Sequence, residues 1–428
     1  MKEITINQWD KLSKKEKEKV TKISFPGTKK VEDVKHRPTM AFATMLKDEE
    51  NCILKCLNAV KDYVDYVLVA DNGSTDSTFD IVRKFFEDTG LPGAWHVDTW
   101  EGFGKTKTKM MAHVKDKTDY VIHLDADDFL EGELKFGFKD SGKDQYMIIN
   151  KRGGSKYWCS VIYDNRLTWR FIGIAHTIIR ANERLHSVSS AQLPEDMVWI
   201  DNAGTGVRVL DKEKFLKDAK NLESQYWETL IDDPDGLNTR SCFYCAQSYK
   251  DQGRGAGYEK YLVTSLQYYN KYLLLRHSWF EEEYEACLEI ASIKKRLNDL
   301  PELGHSFSVE NIEADYLKGI SIIEDRAEAY FWLGKLYNSN QKFHKSYDIL
   351  TRGRKISLAE AQNKYKLFIM PMQYEKWLND ELSVACYYLG KKKEGIELIN
   401  EAMDDPAHVW SIPHYQSNLD HFAKLEDE

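Results

Sequence analysis

Three carboxylates, Asp125, Asp127 and Asp128, stand where the apolar run Val121, Ile122, Leu124 stops abruptly. A run of that length and branching reads as a buried strand, and such a strand in an open α/β sheet delivers ligand-binding groups at its carboxyl end. Asp125 and Asp127 are two residues apart, so in an extended segment both project to one side and can face one hard cation. Mg²⁺ or Mn²⁺ held by one or two carboxylates fills its remaining positions with water and substrate phosphates. The pattern predicts a metal-diphosphate site. By itself a D-x-D also describes a solvated acidic turn, so its weight comes from what precedes it.

The elements upstream are those needed to hold a nucleotide beside these carboxylates. Thr39 to Met45 reads as a first strand, followed by a helix with Ile53, Leu54, Leu57 and Val60 at helical spacing. Tyr66 to Ala70 reads as a second, ending in D-N-G-S-T-D-S-T at 71–78. There Gly73 permits a tight turn, and the hydroxyls and carboxylate after it cap the next helix. Asp71 at the strand end can accept a hydrogen bond from a nucleobase or ribose, and the helix N-terminus beyond it favours anions. A third strand, Ala94 to Val97, leads through W-E-G-F-G at 100–104 to a helix carrying Lys105, Lys107 and Lys109, any one of which could reach a diphosphate. Strands alternating with helices predict a mostly parallel sheet.

Together, M-L-K-D-E-E at 45–50, D-N-G-S-T-D-S-T at 71–78, W-E-G-F-G-K-T-K-T at 100–108 and L-D-A-D-D-F-L at 124–130 resemble the GT-A glycosyltransferases of family 2 in letters, order and spacing. The resemblance implies that Asp71 contacts the nucleobase of a nucleotide sugar, while Asp125 touches ribose and, with Asp127, binds Mn²⁺ or Mg²⁺. A UDP-sugar ranks first as donor, and inversion at the anomeric carbon is expected. The family's F-G-x-N-R-T has Lys107 here, which keeps the charge but loses the bidentate fork. R-L-T-W-R-F-I-G-I-A-H at 166–176 resembles the segment ending G-x-x-H-E, which makes His176 a candidate metal ligand or catalytic group; Thr177 replaces the glutamate. Strands at Tyr146 to Asn150, Tyr157 to Tyr163 and Leu167 to Ile172 would form the acceptor half. The glycine-rich turn at 201–216 supplies Arg208, which could close over phosphates. Asp128, Asp164 and His176 are candidate bases.

From Phe215 onward the pattern is helical. Tyr330, Leu333, Gly334, Tyr337, Ser346, Leu350 and Gly353 match the large and small positions of a tetratricopeptide helix pair, with weaker copies at 242–270 and 382–403. The expected organisation is a basic extension over 1–38, an α/β GT-A domain over 39–205, a connecting helix over 206–235 and an all-α TPR-like domain over 236–428. Residues 9–22 are expected to form a short charged helix within an appended leader.

Composition narrows the function classes. The 428 residues are 42% hydrophobic and 12% aromatic, as in an ordered globular protein. No apolar stretch approaches membrane-spanning length and no signal-peptide core is present, so a cytoplasmic protein is expected. The odd count of seven cysteines does not read as a secreted disulfide framework, and Cys242-x-x-Cys245 in a helical aromatic pattern reads as core. Net charge is −9, disfavouring indiscriminate nucleic-acid binding, although residues 1–38 carry eleven Lys/Arg against six Asp/Glu. These features rank a polypeptide or saccharide acceptor first. A modified base in DNA is second, and an inactive transferase-like domain carried on a protein-binding repeat scaffold is third. The sequence leaves the oligomeric state open.

Overall fold

All seven residues of Met40–Leu46 are buried, so this strand needs cover on both faces. The computed structural model, which describes residues 2–28, 37–135, 142–152, 155–184, 187–202, 208, 211–276, 278–403 and 412–425, provides that cover. The chain divides into two compact units, Met1–Gln225 with Asp233–Leu237, and Tyr226–Asp232 with Asn238–Glu428.

The first unit begins with β1 (Lys2–Thr5), the single-turn helices α1 (Ile6–Trp9) and α2 (Lys14–Lys17), and β2 (Val20–Phe25). Next come β3 (Met40–Leu46), α3 (Ile53–Val60), β4 (Tyr66–Asp71), α4 (Thr78–Thr89), β5 (Gly93–Val97), α5 (Phe103–Val114) and β6 (Tyr120–His123). Then follow β7 (Asp128–Gly132), β8 (Gln145–Arg152), β9 (Ser155–Asp164), β10 (Trp169–Ile172), β11 (Ile178–Ala181), β12 (Ser190–Gln192) and β13 (Val198–Asn202). Among the described residues the mixed sheet has eleven strands, in the order β1-β2-β5-β4-β3-β6-β9-β8-β13-β7 with β12 beside β8, while β10 and β11 form a separate hairpin. Its centre, β5-β4-β3-β6, is parallel throughout.

The two faces of that centre differ in size. Phe42, Val67, Val69, Trp95 and Ile122 point into one cluster with α3 and α4. Ala41, Ala43, Ala70 and Ala94 point into the other, against Met110, Met111 and Val114 of α5. Small side chains on that face let α5 lie close to the sheet.

The leader is not an appended helix. Residues 9–22 divide between the two single-turn helices and β2, which pairs antiparallel with β5 and parallel with β1. Val20, Ile23 and Phe25 are buried, and Phe25 stacks on Phe86 at 4.2 Å. Lysines at helical spacing concealed this apolar alternation.

The helical region comprises α6 (Lys214–Glu228), α7 (Leu237–Gly253), α8 (Tyr261–Tyr272), α9 (Phe280–Asn298), α10 (Val309–Ile322), α11 (Ala327–Ser339) and α12 (Phe343–Gly353). It ends with α13 (Leu358–Lys364), α14 (Lys376–Tyr388), α15 (Lys392–Met403) and α16 (Ile412–Phe422). TPR-like packing is clearest in α11 and α12, where an added Cβ on Gly334 would lie 2.3 Å from Leu350 and one on Gly353 would lie 2.7 Å from Tyr330. Ser346 Oγ donates to the Gly334 carbonyl at 3.0 Å. None of the seven cysteines, all among the described residues, forms a disulfide, and Cys242 and Cys245 are buried in α7.

A buried ion pair organises the second unit. Arg326 is fully buried, donates to Glu328 at 2.9 and 3.1 Å, and also donates to the Leu367 and Phe368 carbonyls. Removing one partner of such a pair strands a charge, so Arg326→Met should destabilise this unit by about 3–5 kcal/mol. Because Glu328 also accepts from Met370 N and Tyr374 Oη, Arg326→Met with Glu328→Leu should not restore wild-type stability. Thermal unfolding of the two variants checks this.

Candidate functional site

Sequence order along the parallel centre reverses between β3 and β6, the place where open α/β sheets bind ligands at their carboxyl ends. Leu46 pairs with Asp71 and Asp71 with Val97, so the first residues beyond β3 and β5 reach the same edge as the end of β4. Asp48, Asp71, Asp98 and Asp125 all stand at this edge. Charge is excluded from strands buried on both faces and collects where they end.

Two loops are clasped together there. Asp71 Oδ1 accepts from Ser74 N at 2.9 Å and from Ser74 Oγ at 2.6 Å. The Asp48 amide donates to Ser74 Oγ, and Asp48 Oδ1 accepts from Thr75 N at 2.6 Å. Glu49 N donates to Thr78 Oγ1, and Ser77 N to Glu50 Oε2. Asp48 takes a left-handed φ of 56° to make these bonds, a conformation that is uncommon outside glycine. Burial raises the Asp71 carboxyl above its ordinary value, against the lowering effect of the Ser74 bonds.

On the other side the W-E-G-F-G-K-T-K-T run docks α5 against β10. An added Cβ on Gly104 would lie 2.3 Å from the Gly173 carbonyl and 2.6 Å from that of Phe171, backbone atoms that cannot swing away. Phe171 N donates to Thr108 Oγ1 at 2.8 Å. This fixes Lys107, whose Nζ donates to Asp125 Oδ1 at 2.9 Å. Desolvation opposes ionisation of Asp125, but the Lys107 ammonium outweighs it and brings the carboxyl down to about 2. Asp125 keeps 51% of its side chain open to solvent beside the 14% exposed Lys107. Behind it the buried His123 has Nδ1 3.0 Å from the Ala43 carbonyl and Nε2 3.9 Å from Asp125 Oδ1. Burial, then Lys107, lowers this imidazole to about 4, so it is neutral at pH 7.

Asp98 was not singled out by sequence reasoning. It is buried beyond β5 and accepts from Lys109 Nζ at 3.1 Å and His113 Nε2 at 2.9 Å. His113 stacks on His96 with centroids 3.9 Å apart. Desolvation would raise the Asp98 carboxyl, but these two partners hold it below its ordinary value. The available signal was the i, i+4 spacing of Lys109 and His113 on a helix following Asp98.

Other expected residues are placed differently. The strand ends at His123, and Asp125 to Asp128 form a turn closed by Asp128 N donating to Asp125 O at 3.0 Å, so Asp125 and Asp127 are not neighbours on one extended face. Asp128 begins β7, a strand the sequence reading did not include, paired antiparallel with Asn202. Asp164 is excluded as a base for this site: it pairs with Tyr120 at the opposite end of β6, and its carboxylate is gripped by Arg166 at 2.6 and 2.8 Å. Arg208 is ion-paired with Asp218 and lies 4.7 Å over the Phe103 ring. Residues 203–207 of its glycine-rich turn lie outside the described residues. His176 occupies an exposed turn between β10 and β11 with a left-handed φ of 47°. Among the described residues no three His, Cys, Asp or Glu side chains converge to hold a metal ion, so His176 is not gathered with Asp125 and Asp127 into one such group.

An open sheet with a parallel centre, a topological switch and a carboxylate row at the edge has the layout in which α/β domains bind ligands. The family model for glycosyl transferase family 2 matches residues 44–135, so this segment carries a family 2 glycosyltransferase domain. Similar curated proteins include the SPbeta prophage-derived glycosyltransferase SunS of Bacillus subtilis, 29% identical over 99 residues, 23% of this chain and 22% of that protein. An uncharacterized glycosyltransferase of Rickettsia typhi is 31% identical over 120 residues, 26% of this chain and 38% of that one. The chain thus spans well under half the length of these relatives. Solved structures with similarity include a tetratricopeptide repeat protein from Parabacteroides merdae, at 14% identity over 50% of this chain and 69% of that one, TM-score 0.35.

The histidines give this unit a pH dependence. Burial, then His113, lowers His96 to about 4, as burial and Lys107 do for His123. Between about pH 6.5 and 4 the unfolded chain binds protons at these positions that the folded chain does not, so stability rises with pH across that window. Urea unfolding at pH 5 should show a lower midpoint than at pH 7, and His96→Gln should shrink the difference.

Proposed function

We propose that this chain transfers a sugar from a nucleotide-sugar donor, with a UDP-sugar first in rank, to a hydroxyl or thiol of a polypeptide or saccharide acceptor with inversion. The observation that carries this reading is the gathering of Asp48, Asp71, Asp98 and Asp125 with Lys107 at one sheet edge, inside the segment that matches family 2. Asp71 is suited to the nucleobase, since one of its oxygens holds the loop and fixes the direction of the other. Asp125 suits the ribose.

The residues fit a divalent ion. Asp125 already accepts one cation, the Lys107 ammonium, with half of its side chain open, and an all-oxygen donor set suits Mg²⁺ or Mn²⁺. Asp127 and Asp125 would hold the ion; His176, exposed and not gathered with them here, would join them only by moving. When bound, it would offset the charge that develops on the departing nucleoside diphosphate. Lys107 lies close enough to share that task, and Arg208 could join it by leaving Asp218. Asp128 and His176 are the candidates for taking the acceptor's proton, Asp128 because it opens β7 directly after the site turn. The helical unit offers a surface for acceptor recognition.

Release of UDP from UDP-sugars should need Mn²⁺ or Mg²⁺, and Asp127→Ala should lower it by at least about 10²-fold, the usual scale of losing a metal clamp. Full turnover in excess chelator overturns the metal. His176→Ala should raise the Mn²⁺ concentration for half-maximal rate, and an unchanged value removes His176 from the site.

A further inference from the structure

The contact between Lys107 and Asp125 poses a problem for any cation that approaches this edge. Lys107 Nζ is 2.9 Å from Asp125 Oδ1, and its side chain is only 14% exposed. The ammonium therefore sits on the inner side of the carboxylate, packed 5.9 Å from the centre of the Phe171 ring, while the outer side of Asp125 faces solvent. His123 Nε2 is 3.9 Å from the same oxygen, and its Nδ1 is already committed to Ala43 O.

We propose that Lys107 is an internal cation that occupies Asp125 until the donor arrives, and that a divalent ion engages Asp125 fully only as the Lys107 ammonium moves to the donor's diphosphate. The inference rests on the transferase reading above. An ammonium and a divalent ion sharing one carboxylate in a partly desolvated cleft repel each other, and the repulsion ends when the ammonium finds another anion within reach. Lysine suits this exchange, because its compact charge rides on a flexible four-carbon stem and makes no bidentate fork with the carboxylate. Metal and nucleotide then bind with positive coupling, and the coupling is reciprocal: each tightens the other by the same factor.

Electron paramagnetic resonance of Mn²⁺ binding, with and without UDP, tests this independently of turnover. Wild type should bind Mn²⁺ weakly alone and more tightly with UDP. In Lys107→Gln, Mn²⁺ alone should bind at least about tenfold tighter, a modest share of one like-charge contact at low separation, and UDP should add less. Lys107→Met, which keeps an apolar stem beside Phe171, should behave like Lys107→Gln and guards against a folding defect in either variant. Lys107→Arg, which keeps the charge on Asp125, should stay weak. Mn²⁺ affinity in Lys107→Gln and Lys107→Met equal to or below wild type overturns the exchange even where UDP binds normally. Calorimetry that finds no binding of UDP or other nucleoside diphosphates to wild type overturns the transferase reading instead.

Discussion

The first unit depends on burying β3, β4, β5 and β6 on both faces. Strands in that position can carry almost nothing polar, and β3 meets the demand with alanine, methionine, phenylalanine and leucine around a single threonine. The asymmetry of the two faces follows. Bulky side chains fill the space under α3 and α4, while Ala41, Ala43, Ala70 and Ala94 leave only room for α5 to lie close. That close approach places Lys107 against Asp125, and Gly104 admits β10 beside the same helix. The four alanines, set among Met45, Leu68 and Val121 on the same face, thus contribute to positioning the charged groups.

The same constraint explains what could be read from the sequence. Uninterrupted apolar runs of strand length have few other readings, so β3, β4, β5 and β6 were legible almost to their ends. The edges were not. In β2, Val20, Ile23 and Phe25 are separated by polar residues and preceded by lysines at helical spacing, so local pattern favoured a helix where pairing with β5 decided for a strand. β7 is five residues with two charges and a glycine, and it exists because β13 pairs with it.

Within the site, sequence reasoning found the positions of charge but not its partners. Asp71 and Asp125 were visible because each ends an apolar run. Asp98 ends one too, but β5 is short and its partners Lys109 and His113 lie a helix turn apart on α5, so only the fold brings them to it. Asp164 shows the opposite failure. It was a candidate because it follows the expected strand Tyr157 to Tyr163 of the acceptor half, and the antiparallel pairing of β9 with β6 carries it to the far end. Direction of pairing is a tertiary fact with no local signal.

Four carboxylates on the edge are already matched. Asp48 and Asp71 hold amides and hydroxyls, Asp98 holds Lys109 and His113, and Asp125 holds Lys107. Four unmatched carboxylates would repel a nucleoside diphosphate, which carries its own negative charge. Matched in this way, they present a cleft in which the cations are fixed by protein carboxylates and stay available to phosphate oxygens. The loops that carry Asp48 and Asp71 bond to each other with no ligand present, so little ordering of these loops would remain to oppose binding there. Where the matching partner is a lysine on a flexible stem, as at Asp125, the same charge can serve the folded protein in one position and an anionic ligand in another.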